Sequence, residues 1–186
     1  MRDDGAMSAP ADPTSALASI ASAPRDDGRI VLIVRRPAPG TREVVAEGVL
    51  DPERGLEGDT WLERGSTTTA DGSADPLRQV TLINSRVLKA IEPDVDRWPL
   101  AGDQLVVDLD LSIEALPVGT MLAIGEAIVE VTAPPHTGCS QFSDRFGIDA
   151  LAWVSTPVGK AYRMRGMHVR VIQGGAIRTG DVIRRS

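Results

Sequence analysis

From residue 29 onward the apolar residues gather into short, β-branched runs separated by Gly, Pro and Asp. Residues 30–34 form a continuous apolar run of strand length, and residues 43–49 are a second strand candidate. Residues 51–78 hold few large apolar side chains and read as a long surface excursion. Residues 79–83 follow as a strand, after which Ser85 is placed to cap a short helix over 86–92 that Pro93 stops. Residues 105–107 and 121–124 read as strands joined through the turn Pro117-Val118-Gly119-Thr120. Gly125-Glu126 then separates 121–124 from 127–132, two β-rich runs two residues apart, which predicts a hairpin. After a loop over 133–147, residues 148–154 predict a second short helix, and a strand over 167–172, a Gly174-Gly175 turn and a β segment over 177–184 interrupted by Gly180-Asp181 close the chain.

Many short strands at close spacing, with few short helices, predict a mainly β fold: a closed or nearly closed antiparallel β-barrel. Closure removes the exposed edges such apolar strands would otherwise present. Residues 29–186 make one domain. Residues 1–28, rich in Ala, Ser, Asp and Pro, have too little large apolar surface to offset the entropy of ordering and are expected to form a disordered tail. The Gly-Asp pairs at 58/59, 102/103 and 180/181 read as structural turns.

Composition narrows the function. Twenty Lys plus Arg against 26 Asp plus Glu give a net charge of -6, and only six residues are aromatic, which argues against nucleic-acid binding. No run approaches the roughly 18 apolar residues a membrane helix needs. Cys139, the single cysteine, cannot form an internal disulfide, so a reducing, cytoplasmic setting is expected. With His136 and His168 the only histidines, a tetrahedral metal site would need carboxylates or a ligand from outside the chain.

The segment Ala133-Pro134-Pro135-His136-Thr137-Gly138-Cys139 holds the thiol behind two stiffening prolines and a glycine that permits a sharp turn. A neighbouring cation favours thiolate, the form that ligates metals, and Arg145 and His136 are local candidates. The bland alternative is a buried cysteine acting as a small hydrophobe. Phe142 and Phe146, at helical spacing, read as core. From residue 137 on, eight basic residues face three acidic ones, a local net of +5 dominated by arginine, which suits an oxyanion. The competing reading is a solvated face paired with the acidic remainder. P-loop, nucleophile-elbow and zincin signatures are missing. A Cys139–His168 hydrolase pair lacks a third, orienting residue, and neither Lys89 nor Lys160 has a pyridoxal phosphate setting.

Taken in order, several pieces resemble the MOSC domain, named for the C-terminal part of molybdenum cofactor sulfurases. They are Gly55-Leu56-Glu57-Gly58-Asp59, Leu100-Ala101-Gly102-Asp103-Gln104-Leu105, Leu116-Pro117-Val118-Gly119-Thr120, His136-Thr137-Gly138-Cys139, and Arg165-Gly166 with Gly180-Asp181. The resemblance implies a β-barrel whose cysteine, here Cys139, ligates molybdenum or passes on sulfur at the molybdenum cofactor (molybdopterin). Candidate cofactor-binding residues are His136, Thr137, Gly138, Arg145, Arg163 and Arg165. It further implies either an oxidoreductase that reduces N-hydroxylated compounds with a separate electron-donor reductase, or a sulfur carrier served by a cysteine desulfurase. Thr60 and Gln141 stand where the family often has basic residues. The alternative from another class is a non-catalytic barrel that binds a partner through its surface.

Overall fold

The computed structural model describes residues 9–186. Helix α1 (Pro13–Ala21) comes first, followed by β1 (Gly28–Arg35), β2 (Glu43–Val45), β3 (Glu47–Asp51) and β4 (Gly55–Leu56). Then come α2 (Trp61–Arg64), β5 (Val80–Asn84), α3 (Ser85–Ile91), β6 (Leu105–Asp108), β7 (Met121–Ile124) and β8 (Ala127–Pro135). Three short helices, α4 (Ser140–Phe146), α5 (Ile148–Val154) and α6 (Pro157–Ala161), precede β9 (Met167–Gln173), β10 (Gly175–Arg178) and β11 (Val182–Arg185).

Seven strands close into a barrel in the order β1-β11-β7-β8-β9-β5-β6 and back to β1. The β7–β8 hairpin forms at Gly125-Glu126 with Ile124 opposite Ala127, where Gly125 takes a positive φ of 56° that suits glycine. The barrel is mixed, because β5 and β6 run parallel with Leu82 opposite Leu105. Some twenty residues containing α3 separate these two strands, enough for the crossover a parallel pair requires. Consequently β6 lies between β1 and β5, and the turn at 117–120 does not make it a neighbour of β7. The strand expected over 43–49 divides at Ala46: β2 extends β1, while β3 joins β10 and β4 in a second, three-stranded sheet.

Period-two alternation splits the core. Val80 and Leu82 of β5 point into the barrel with Leu105, Val129 and Val169, whereas Ile83 and Val106 point outward under α1, α3, α4 and α5. Phe142 and Phe146 lie in this outer cluster, as their spacing predicts. They stand on α4, inside the segment expected to be a loop. Two turns of helix carry too short an apolar period to stand out from the flanking Gly and Pro.

The N-terminal tail needs correction. Asp12 caps α1 by accepting from the backbone N–H of Thr14 and Ser15, Pro13 stands in its first turn, and Ile20 is 1% exposed. Arg86 of α3 holds the end of the helix by donating to Ser19 O and Ser22 Oγ. A buried isoleucine, a good cap, the Arg86 hydrogen bonds and the bond from Asp110 N to Pro24 O together order a segment whose average composition is polar. Only residues 1–8 of the predicted tail lie outside the described residues. Ile20→Ala is expected to cost about 2–5 kcal/mol, read as a drop in the urea midpoint. An unchanged midpoint would return the segment to the tail.

Candidate functional site

Strand β8 ends at Pro135, and four residues carry the chain to α4, with Cys139 at the helix's N-cap position. The thiol is exposed and makes no capping hydrogen bond. It opens onto a cavity of about 610 Å³ whose wall carries five arginines, Arg36, Arg42, Arg64, Arg145 and Arg165. The first three come from the end of β1, the loop after it, and α2.

Two of these guanidiniums are held by buried carboxylates. Arg36 donates to both oxygens of Asp59, at 2.7 and 2.8 Å, and to Gly102 O at 3.1 Å. The Asp59 side chain is fully buried and also accepts from the backbone N–H of Arg36 and Trp61. Arg165, 9% exposed at its side chain, donates to Asp103 Oδ2 at 2.8 Å and to Ala101 O at 3.1 Å, with its guanidinium 4.7 Å over the Phe142 ring. Gly58 and Gly102 adopt positive φ, so these Gly-Asp pairs are turns as expected. Their aspartates do more than turn the chain, since each fixes an arginine. Only Asp181 of the three stays a plain turn residue, accepting from its own loop at Arg178 N.

The other three arginines have no carboxylate within ion-pair distance among the described residues. Arg145 donates to Leu100 O and Arg42 to Thr41 O, but Arg42 Nε is buried without a partner. A Cβ placed at Gly102 would stand 3.6 Å from Arg42 Nη2 and 3.9 Å from Arg145 Nη1, so the two guanidiniums converge over this residue, whose φ of 86° suits glycine. Burial, and then the charges of Arg145 and Arg36, push the Arg42 pKa down. Arg64 is lowered in the same direction by burial and by Arg36. Crowded like charges of this kind are relieved by an anion. Glu63, exposed on the rim, is the acidic residue of the lining.

His136 stands behind the thiol, its side chain 16% exposed. Its Nδ1 lies 3.2 Å from Asp103 Oδ1, yet neither atom makes an aligned hydrogen bond. Burial alone would raise the Asp103 pKa, but Arg165 and then His136 outweigh it and hold the carboxyl at about 2. Burial lowers the His136 pKa against the opposing pull of Asp103. His168, with ring centroid 4.7 Å from that of His136 and Nδ1 3.0 Å from Pro134 O, is pushed down to about 4, chiefly by burial. The His168 ring is therefore neutral at pH 7.

A histidine with a lowered folded pKa binds its proton more tightly when unfolded. Its contribution to stability is complete above the unfolded value near 6.5 and is lost as pH falls towards 4. For His168 the loss amounts to about 3 kcal/mol. The urea midpoint is expected to fall between pH 7 and pH 4.5, and His168→Gln to flatten that fall. An equally steep fall in the variant would contradict this account.

The structure thus brings Cys139, His136, Arg145 and Arg165 around one cavity. Thr137, Gly138 and Arg163 line a second, more apolar cavity that shares His136 and Arg165 with the first. Arg163 is turned away from the thiol: it donates to Leu111 O and Leu116 O and tethers a loop. His168 is not on the wall of the Cys139 cavity, so the hydrolase pairing does not form. Charge counting by sequence segment favoured the C-terminal third and missed Arg36, Arg42 and Arg64. Among the described residues no group of three His, Cys, Asp or Glu is arranged to hold a metal ion, so a metal at Cys139 would draw its remaining ligands from outside the chain.

A family model for the MOSC domain matches residues 69–184. The chain belongs to the MOSC domain family. No curated protein matches the sequence. Among solved structures, the MOSC chain resembles the YuaD protein of Bacillus subtilis, at 13% identity and TM-score 0.61, over 84% of this chain and 94% of that one. It also resembles YiiM of Geobacillus stearothermophilus, at 17% identity and TM-score 0.57, over 86% and 75% of the two chains. YiiM of Escherichia coli follows at 22% identity and TM-score 0.55, over 85% and 69%. Likeness at these identities concerns the fold. Cys139, Asp103, Arg145 and Arg165 fall inside the matched MOSC segment, whereas Arg36, Arg42 and Arg64 precede it. Among the described residues no helix is long and apolar enough to cross a membrane.

Proposed function

We propose that this MOSC protein binds the molybdenum cofactor with the Cys139 sulfur as a ligand to the metal. The observation that carries this reading is an exposed thiol on a cavity where three arginines lack carboxylate partners. The donor set suits the cofactor: guanidiniums for a phosphate, and a soft thiolate for a soft, sulfur-rich centre. Arg42, Arg64 and Arg145 would take the anionic group. Arg36 and Arg165, locked by Asp59 and Asp103, would give the wall its rigid charge, so that little ordering remains to be done on binding. Once bound, the cofactor would supply a metal centre for two-electron reduction, such as that of an N-hydroxylated compound, with electrons from a separate reductase.

Expression in a host that makes the cofactor should yield protein that retains molybdenum through gel filtration. Protein without molybdenum would sink the reading and leave the barrel as an interaction module. Exposure of the thiol also favours a second reading, acceptance of a sulfur atom from a cysteine desulfurase, because a partner's persulfide must reach it. Incubation with a desulfurase and cysteine should then add the mass of one sulfur to the wild type and none to Cys139→Ala. An unchanged wild-type mass rejects that branch.

A further inference from the structure

Behind His136 lies another cavity, of about 500 Å³, that Cys139, Arg42, Arg145 and Arg165 do not line. Its own cation is Arg78, and its own imidazole is His168; Arg36, Arg64 and His136 form the wall shared with the Cys139 cavity. The balance of charge is positive. Arg36 is neutralised by Asp59, and Arg78 Nε lies 3.2 Å from Asp75 Oδ2. Arg64 has no counter-ion among the described residues. Arg78 Nε is buried without an aligned hydrogen bond, as is His136 Nδ1. Asp75 also lines the cavity and accepts from the Thr68 hydroxyl, which is linked to that of Ser66, so the Thr67 hydroxyl is the one in this turn left to a ligand.

Guanidiniums, hydroxyls and imidazoles that are not all paired with one another make a poor wall for an apolar ligand and a good one for an oxyanion. The geometry points to a second anion site in this cavity, which takes a carboxylate, phosphate or sulfate group of a small molecule through Arg78 and Arg64, with the two histidine rings on its wall. It shares Arg64 and His136 with the cofactor site proposed at Cys139, whereas Arg78 and His168 belong to it alone.

The chain has only two histidines, so their ring resonances report on the cavity without overlap. His168 faces His136, Arg78 and Asp103, and His136 faces Asp103, Arg165 and Arg36. Titrating the full-length protein with sodium sulfate, against sodium chloride at matched ionic strength, should shift the His168 resonances saturably. The His168 titration midpoint should rise with sulfate bound, because a dianion stabilises the imidazolium. Arg78→Ala should weaken sulfate about tenfold or more, with Arg78→Lys intermediate because it keeps the charge and loses the fork. Arg42→Ala and Arg145→Ala should change the affinity by less than about twofold, since neither touches this wall. The inference is overturned if His168 fails to respond to sulfate. It is equally overturned if the response survives Arg78→Ala and vanishes in Arg145→Ala, which would assign the anion to the Cys139 cavity.

Discussion

Cys139→Ala should abolish molybdenum retention while leaving the fold intact. Removing a partner that merely orients a metal ligand typically costs 10–100-fold in affinity, and removing the ligand itself should exceed that, about a hundredfold or more. Cys139→Ser is a sharper probe: it keeps the size of the side chain but offers a hard oxygen in place of a soft sulfur, so it too should lose the metal. Neither change should alter the unfolding free energy by more than about 0.5 kcal/mol, because the thiol is exposed and makes no capping hydrogen bond. Metal analysis of wild type and both variants from one expression host decides the matter. Equal molybdenum in wild type and Cys139→Ala would defeat the ligand assignment.

Asp103→Ala should produce the largest loss of stability in the site. Its side chain is fully buried, and it is the carboxylate that compensates Arg165. Without it, that guanidinium is left charged beneath the surface with only Ala101 O and the Phe142 ring for company. Breaking such a pair on one side costs about 3–5 kcal/mol, because the abandoned charge keeps its desolvation penalty. The double variant Asp103→Ala with Arg165→Met should recover part of the loss, since methionine occupies the stem's volume without a charge. Urea unfolding of the two variants tests this. A loss below about 1 kcal/mol in the single variant, or a double variant less stable than the single one, would show that the pair does not hold the wall together.

Both predictions concern residues whose importance was unevenly visible in the chain. Cys139 stands out by its rarity and by the prolines and glycine before it. Asp103 does not, because Gly-Asp is a common turn pair and the turn it predicts does form, with Gly102 at φ 86°. Nothing local to Asp103 announces Arg165, 62 residues later. Arg163 and Arg165 illustrate the same limit from the other side. Two residues apart in one basic segment, they end in different surroundings, one tethering the loop at Leu111 and Leu116 and the other over Phe142.

Local patterning by itself determined a mainly β domain, the β7–β8 hairpin, the helices at α3 and α5, and the one thiol available for chemistry. These follow from side-chain period, turn chemistry and residue counts, which are properties of neighbours in the chain. Tertiary structure alone decided that β5 and β6 run parallel, that Ile20 draws α1 onto the barrel, and that five arginines between positions 36 and 165 meet at one cavity. Each of those outcomes depends on which distant segments pair, and pairing is settled by barrel closure and the burial of whole faces rather than by any short run of residues.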